Sequence, residues 1–169
     1  RASDIQEVRV QIGERDMRSV GGWSEEEKKK KRRPEGVVDA QFSIPYTVAA
    51  TLASGGLSLE EFTDAKLRSE EILNLAARVK TILTPEFDQG PMDVKPQVVE
   101  IVLRDGKVFS EKVIYPKGNP NNPVTAEEKR AAFRGMASYA AKPLSSDRID
   151  DAIALALGLE DAPEVSVLA

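Results

Sequence analysis

The stretch "PQVVEIVLRDGKVFSEKVIYP", residues 96–116, decides the fold. β-Branched residues, which favour strands, recur on both sides of the dipeptide Asp105-Gly106, which is typical of tight turns. The segment therefore predicts a β-hairpin, and it is the clearest hairpin signal in the chain.

The length of the loop sets which residues of this hairpin face each other. A two-residue loop would place Glu100 opposite Glu111, and like charges directly opposite are destabilising. We therefore expect a three-residue loop with a glycine bulge, which we interpret as pairing Glu100 with Lys112 and Leu103 with Phe109.

Two more strands and three short helices are predicted before the hairpin. "IQEVRVQIG", residues 5–13, alternates apolar and polar side chains and predicts a half-buried strand, and "VKTILTPEFD", residues 79–88, predicts another. Between them, helix-start signals precede the apolar residues of 43–56, 58–62 and 69–79. Strands and helices in this order predict an α+β two-layer sandwich, with a four-stranded, mainly antiparallel sheet backed by helices.

A turn-rich segment, "PKGNPNNP", separates this part of the chain from a purely helical one. Residues 125–141 and 145–161 each open with a helix N-cap signal, so a C-terminal helical pair is predicted. The expected domains are an α+β domain over residues 1–118 and, over residues 119–169, the linker with the C-terminal helices.

Residues 14–36 show little periodicity and include "SEEEKKKKRRPEG", which we interpret as a solvated charged loop with at most one helical turn. Glutamates balance most of the basic residues, and no aromatic side chain lies among them to stack on bases. The net charge of the whole chain is −4. No nucleic-acid partner is therefore expected.

Composition narrows the chemistry that this chain can perform alone. Its 169 residues include neither cysteine nor histidine, which excludes disulfides and thiolate metal sites and leaves Tyr, Lys or carboxylates for acid–base work. No apolar run reaches the roughly 20 residues of a membrane span, and no signal-peptide pattern opens the chain, so we expect a cytoplasmic protein without a membrane partner. A first residue other than Met suggests part of a longer protein.

The helix start "SIPYTVAA" holds the strongest candidate site residue. Ser43 is the predicted N-cap, and Tyr46 lies in the first turn beside a small face that includes Ala49 and Ala50. A phenol near free helix N–H groups can bind a substrate carboxylate or pass a proton, whereas a core tyrosine bonded to a backbone group is the structural alternative. Lys117 in the linker can meet an anion or simply lie in an exposed turn. No carboxylate cluster suggests a metal site.

The stretches "VVDAQFSIPYTVAATLASGG", "RDGK" and "YPKGNPNNPVTAEEK", followed by a helical pair, resemble the C-terminal part of the MmgE/PrpD family. That family includes 2-methylcitrate dehydratases of propionate catabolism, cis-aconitate decarboxylases and an iminodisuccinate epimerase. The resemblance implies that residues 1–118 form a lid-like domain and that the last helices return to an all-helical N-terminal domain outside this chain.

The same resemblance implies a lyase without metal or other cofactor that acts on a small di- or tricarboxylate between its two domains. It matches Tyr46, in "FSIPY", to a tyrosine of that site, for substrate binding or proton transfer. Ser43, beside Tyr46, and Lys117, in the linker, are further candidates for substrate binding on their own residue chemistry. The isolated chain is then expected to be inactive and the full-length enzyme to be a homodimer. The alternative is a non-catalytic α+β interaction module that keeps the fold.

Overall fold

The computed structural model of this chain describes residues 1–91 and 94–161. The chain is divided into two compact units, Arg1–Asn122 and Pro123–Ala169. The predicted boundary between residues 118 and 119 lies in the linker at the end of the first unit. Within the described residues, no helix combines the length and apolar character that crossing a bilayer requires.

The first unit contains strands and short helices, whereas the second is helical. The four strands are β1 Ile5–Ile12, β2 Val79–Leu83, β3 Gln97–Leu103 and β4 Val108–Val113. The α-helices are α1 Glu14–Asp16, α2 Glu25–Arg32, α3 Val37–Gln41, α4 Ile44–Ser54, α5 Asp64–Leu67, α6 Glu70–Ala76, α7 Ala126–Ala137 and α8 Ser146–Leu157. Single 3-10 turns at Ala2–Asp4, Glu60–Phe62, Pro85–Asp88 and Leu159–Asp161, and a π-helical turn at Met17–Gly21, complete the described structure.

The strands form one four-stranded sheet in the order β2-β1-β3-β4. β1 pairs in parallel with β2 and antiparallel with β3, and β3 pairs antiparallel with β4. The parallel pair is joined through the helices between the two strands, as a parallel connection requires. The predicted α+β class, with a mainly antiparallel sheet and a C-terminal helical pair, is confirmed.

The core lies between one face of the sheet and helices α4 and α6. Alternate residues of β1 point to opposite faces, so Val8, Val10 and Ile12 are buried under the helices while Arg9 between them remains partly exposed. The remaining core is apolar and includes Ala49 and Ala50 of α4, Ile72, Leu75 and Ala76 of α6, and Val79 of β2. Each large side chain buried here stabilises the fold by about 1.5–3 kcal/mol.

The opposite face of the sheet carries charged side chains in register. The carboxylate of Glu7 accepts a hydrogen bond from Arg9 and forms an ion pair with Lys80 on β2. Arg9 in turn faces Glu100 of β3, with 3.7 Å between the charged atoms. This row of alternating charges is typical of a face that meets water rather than a second layer.

The hairpin has the predicted loop but not the predicted register. Leu103 accepts a hydrogen bond from the N–H of Gly106, whose φ is +86°, and donates its own N–H to Lys107, so the loop has three residues and a glycine in the left-handed region. Because Lys107 therefore faces Leu103, Glu100 pairs with Ser110 and Ile101 with Phe109. The pairings predicted for Glu100 with Lys112 and for Leu103 with Phe109 are wrong, since they would need the three-residue loop to lie one position later, at 105–107.

The prediction of a charged loop over residues 14–36 is also wrong. Residues 25–32 form α2, whose N-cap Ser24 and Glu27 make a complete capping box. Acidic residues fill the first turn and basic residues the last turn, which complements the helix dipole. Charge patterning and capping therefore make a helix from a segment without an apolar stripe.

The second unit is a pair of helices without a buried core among its described residues. Thr125 and Glu128 form the predicted capping box of α7, and Ser145 caps α8. An ion pair between Arg134 and Asp150 joins the two helices. Between them lies an apolar groove of about 320 Å³, lined by Ala126, Lys129, Arg130, Phe133, Ala152, Ile153, Ala156 and Leu157.

Candidate functional site

The start and the end of α4 are set by local signals. The hydroxyl of Ser43 accepts the N–H of Tyr46 at 3.1 Å, and Pro45 lies in the first turn, where a missing N–H costs no helical hydrogen bond. Gly55 ends the helix with a φ of +78°, in the left-handed region that favours glycine. The N-cap and the stop signal predicted for this helix are both confirmed.

Tyr46 is fully buried. Its hydroxyl donates a hydrogen bond to the main-chain carbonyl of Glu61 at 2.6 Å, and its ring centroid lies 6.2 Å from that of Phe62. Burial first, and then the negative charge of Glu61, raise the pKa of the phenol above its ordinary value. Tyr46 is therefore held as a neutral hydrogen-bond donor inside the unit.

The space that the sequence predicts beside Tyr46 is occupied. Ala49 and Ala50 are fully buried, and the turn that follows α4 places Glu61 and Phe62 against the phenol. Sequence reasoning found the small face of the helix but not what fills it. The Ser58–Glu61 capping-box spacing was visible, but its closeness to Tyr46 depends on the path of the chain after Gly55.

Ser43 lies next to Tyr46, and its hydroxyl is used on both sides. Besides accepting the Tyr46 N–H, it donates a hydrogen bond to the main-chain carbonyl of Lys31 at the end of α2. Ser43 as a whole is only 1% exposed to solvent. The geometry gives Ser43 the part of a helix cap that joins two helices.

Lys117 lies in the linker after β4, in a different segment of the chain from α4. The turn around it is closed by a hydrogen bond from the N–H of Gly118 to the carbonyl of Asn122, and the Asn122 side chain donates to the carbonyl of Tyr115. β4 and β2 form opposite edges of the sheet, and α4 packs against β2 and α6. Among the predicted site residues, Ser43 and Tyr46 are thus brought together within one helical turn, and Lys117 lies in a separate segment.

Basic residues of α2 that sequence reasoning assigned to solvent hold this region together. Lys31 donates to the main-chain carbonyls of Ser19 and Phe42, and Arg32 donates to that of Val79. The signal that could have found them is the spacing of Ser24 and Glu27, which predicts a helix start.

A cavity of about 330 Å³ opens beside this basic end of α2. Its walls carry charges of both signs, from Glu27, Lys30, Lys31, Arg33, Glu35 and Asp39, together with Pro34. Arg33 also pairs with Glu70 at 3.2 Å. The arrangement offers hydrogen-bond donors and acceptors in equal measure and has no net preference for an anion.

Metal ligation has no basis in the residues that the structure describes. Across 1–91 and 94–161, no three side chains of the His, Cys, Asp or Glu type are grouped closely enough to hold an ion. The polar group that α4 itself brings to this region is the protonated phenol of Tyr46, which donates to the Glu61 carbonyl.

Comparison with known proteins places the whole arrangement in one family. The family model of the MmgE/PrpD C-terminal domain matches residues 1–156, which include the first unit and most of the second. The cis-aconitate decarboxylase of Homo sapiens is 25% identical over 130 residues, covering 77% of this chain and 26% of that protein. The cis-aconitate decarboxylase of Aspergillus terreus is 29% identical over 168 residues, covering 98% of this chain and 32% of that protein.

The same enzyme of Mus musculus is 27% identical over 135 residues, covering 80% of this chain and 27% of its own length. The chain thus spans between a quarter and a third of the curated relatives that it matches. All three relatives carry the name of an enzyme that removes a carboxyl group.

Proposed function

Because this chain belongs to the MmgE/PrpD family, whose C-terminal domain its residues 1–156 match, we propose that it is the C-terminal part of a lyase that acts on a small di- or tricarboxylate. The first unit would serve as the lid-like domain, and the helices of the second would complete an all-helical domain formed mainly by residues outside this chain. The observation that carries the proposal is the match of one family model across both units.

The reaction proposed is removal of a proton next to a carboxylate, with loss of water or of carbon dioxide and with positioned donors around the developing negative charge. It requires no metal or other cofactor. The names of the relatives favour cis-aconitate as the first substrate to test, with 2-methylcitrate and its dehydration as the alternative. Identities of 25% and 29% support the reaction class more than the choice between these substrates.

Tyr46 would contribute a hydrogen-bond donor or a proton from the lid side of the site. Its raised pKa suits this part, because the phenol keeps its proton at neutral pH. Ser43 and Lys117 remain further candidates for substrate binding. Since Tyr46 is buried in the first unit, its contact with a substrate would require the phenol to exchange the Glu61 carbonyl for a substrate oxygen.

The second unit supports the proposed division of the chain. Phe133, Met136 and Leu157 are 41%, 56% and 68% exposed, and an apolar groove runs between the two helices. Such exposed apolar side chains indicate a surface that packs against other residues. We propose that the residues that pack against this surface belong to the N-terminal helical domain. We also propose that the full-length enzyme is a cytoplasmic homodimer.

The test is turnover by the full-length protein. It should be assayed with cis-aconitate for release of carbon dioxide and with 2-methylcitrate for loss of water, and the isolated chain should turn over neither. Tyr46→Phe should lower kcat/KM by about 100-fold or more, as loss of a group that transfers or donates a proton does. Tyr115→Phe, in the linker, is the matched control and should behave as wild type.

Two results would contradict the proposal in different ways. Unchanged kcat/KM and substrate affinity in Tyr46→Phe would remove Tyr46 from the site while leaving the lyase in place. Absence of turnover with every small di- and tricarboxylate tried would favour the interaction module instead.

A further inference from the structure

The turn that follows α4 is fixed by its own hydrogen bonds. The N–H and the hydroxyl of Ser58 both donate to the Glu61 carboxylate, at 2.7 and 2.8 Å, and the Ser58 hydroxyl accepts the N–H of Glu60 at 3.2 Å. Glu61 is only 6% exposed. A carboxylate so nearly excluded from water is stable only when donors of this kind surround it.

Glu61 touches Tyr46 through its main chain while its side chain holds the turn. The carbonyl of Glu61 accepts the phenol hydrogen, and its carboxylate anchors the turn to Ser58, so one residue performs both tasks. Loosening the carboxylate should therefore also move the carbonyl that orients the phenol.

We propose that Glu61 is a positioning residue that holds Tyr46 as a hydrogen-bond donor. This inference rests on the proposed function, which places Tyr46 in the site. Tyr46 then takes part in the reaction as a neutral phenol. A substrate oxygen replaces the Glu61 carbonyl as its acceptor, and no tyrosinate base is formed beforehand.

The electrostatics of the pair support this assignment. Burial by itself would raise the pKa of Glu61, but hydrogen bonds from the Ser58 main chain and hydroxyl, from the main chain of Glu61 itself and from the Ser54 side chain together outweigh it and lower that pKa below its ordinary value. The carboxylate is therefore charged at neutral pH, and with burial it raises the pKa of Tyr46. Among the described residues, Glu61 is the charged group that acts on this phenol; its aromatic neighbour Phe62 carries no charge.

The first experiment measures ionisation of Tyr46 without any assay of activity. The ultraviolet absorbance of tyrosinate is followed in this chain as the pH is raised. The contribution of Tyr46 is the difference between wild type and Tyr46→Phe. The measurement is restricted to the pH range in which circular dichroism shows a folded chain. Glu61→Gln keeps a hydrogen-bond acceptor for Ser58 but removes the charge, so ionisation of Tyr46 should move to lower pH. Glu60→Gln, on the exposed neighbour, should leave it where it is in wild type.

The second experiment measures how well the phenol is held, and it keeps the proposal testable if Glu61→Gln does not fold. N-Acetylimidazole acetylates accessible tyrosine hydroxyls, and peptide mass spectrometry resolves Tyr46 from the other tyrosines. Ser58→Ala removes one donor to the Glu61 carboxylate and should raise acetylation of Tyr46 several-fold, whereas Glu60→Gln should not.

The pH profile of the full-length protein links the pair to activity. With cis-aconitate as the probe, kcat/KM should fall at high pH as Tyr46 loses its proton, and in Glu61→Gln this fall should begin at lower pH. If the full-length protein has no such activity but ionisation of Tyr46 still moves in Glu61→Gln, the positioning by Glu61 stands and the proposed function fails. An unchanged ionisation of Tyr46 in folded Glu61→Gln, or unchanged acetylation in Ser58→Ala, overturns the positioning itself.

Discussion

The hydroxyl of Ser43 donates its hydrogen to the main-chain carbonyl of Lys31, so a single side chain caps α4 and closes the end of α2. The hydrogen bond from the Tyr46 N–H is buried, and the one to the Lys31 carbonyl is partly buried. Ser43→Ala should therefore destabilise the first unit by about 2 kcal/mol, since it removes an N-cap and takes this donor away from the partly buried Lys31 carbonyl. Urea denaturation followed by far-ultraviolet circular dichroism measures the change.

Ser69→Ala is the matched control, because Ser69 also precedes a helix but its side chain makes no capping hydrogen bond. Its effect should stay within about 0.5 kcal/mol. Equal losses of unfolding free energy in the two variants would show that the two hydrogen bonds of the Ser43 hydroxyl do not stabilise the first unit.

Lys31 should contribute to stability although it belongs to a highly charged run. Its ammonium group donates to the carbonyls of Ser19 and Phe42, and hydrogen bonds from a charged donor contribute more than those between neutral groups. Lys31→Met should lower the free energy of unfolding by about 1–2 kcal/mol, discounted because the side chain is partly exposed. Lys29→Met, on the exposed side of the same helix, should have almost no effect, and similar effects of both changes would contradict the contribution assigned to the Lys31 hydrogen bonds.

The two glycines after α4 should respond differently to the same substitution. Gly55 has a φ of +78°, whereas Gly56 lies outside the left-handed region, and an added Cβ would meet no atom within 4 Å at either position. Gly55→Ala should therefore cost about 1 kcal/mol through backbone conformation alone, and Gly56→Ala should be close to neutral. Thermal unfolding of the two variants side by side tests this, and equal melting temperatures would contradict it.

The charged face of the sheet should make part of the stability depend on acid pH. The hydrogen bond from Lys80, followed by that from Arg9, lowers the pKa of Glu7 below its ordinary value of 4.5. The folded state therefore binds this proton less readily than the unfolded state, so the stabilisation is complete above pH 4.5 and is lost as the pH falls below it towards the pKa of the folded state.

Glu7→Gln should flatten this acid limb of the plot of unfolding free energy against pH. Glu111→Gln, on the exposed edge strand β4, is the control and should keep the limb as in wild type. A plot for Glu7→Gln that superimposes on wild type below pH 4.5 would rule out the contribution assigned to Glu7.

Local sequence signals were sufficient where an element is determined by its own residues. Ser43 and Gly55 mark the two ends of α4, and Thr125 and Glu128 cap α7, as their residue types predict. The three-residue hairpin loop follows from Gly106 in the same way. The pairing across the hairpin was wrong because it depends on where the turn closes, at Leu103 and Lys107.

Contacts between distant segments were beyond such signals. The residues around Tyr46 leave a main-chain acceptor for its hydroxyl as the structural alternative, but they do not indicate that this acceptor is the carbonyl of Glu61, because that contact depends on how the chain returns after Gly55. Lys31 was likewise assigned to solvent from its charged neighbours, although tertiary contacts give its ammonium group two main-chain acceptors. The residue type and its neighbours predict whether a side chain is exposed or buried. Whether it forms a tertiary hydrogen bond depends on the path of the chain.

The central place of β1 in the sheet has a consequence for the time course of folding. Val8 pairs with Val79 on one side and with Ile101 on the other, so both pairings of the first strand await segments that follow much later in the chain. The β3–β4 hairpin, in contrast, closes through neighbouring residues and can form within microseconds. We expect the hairpin to be present early and β1 to be inserted last between β2 and β3, which makes docking of β1 the slow step in reaching the native state.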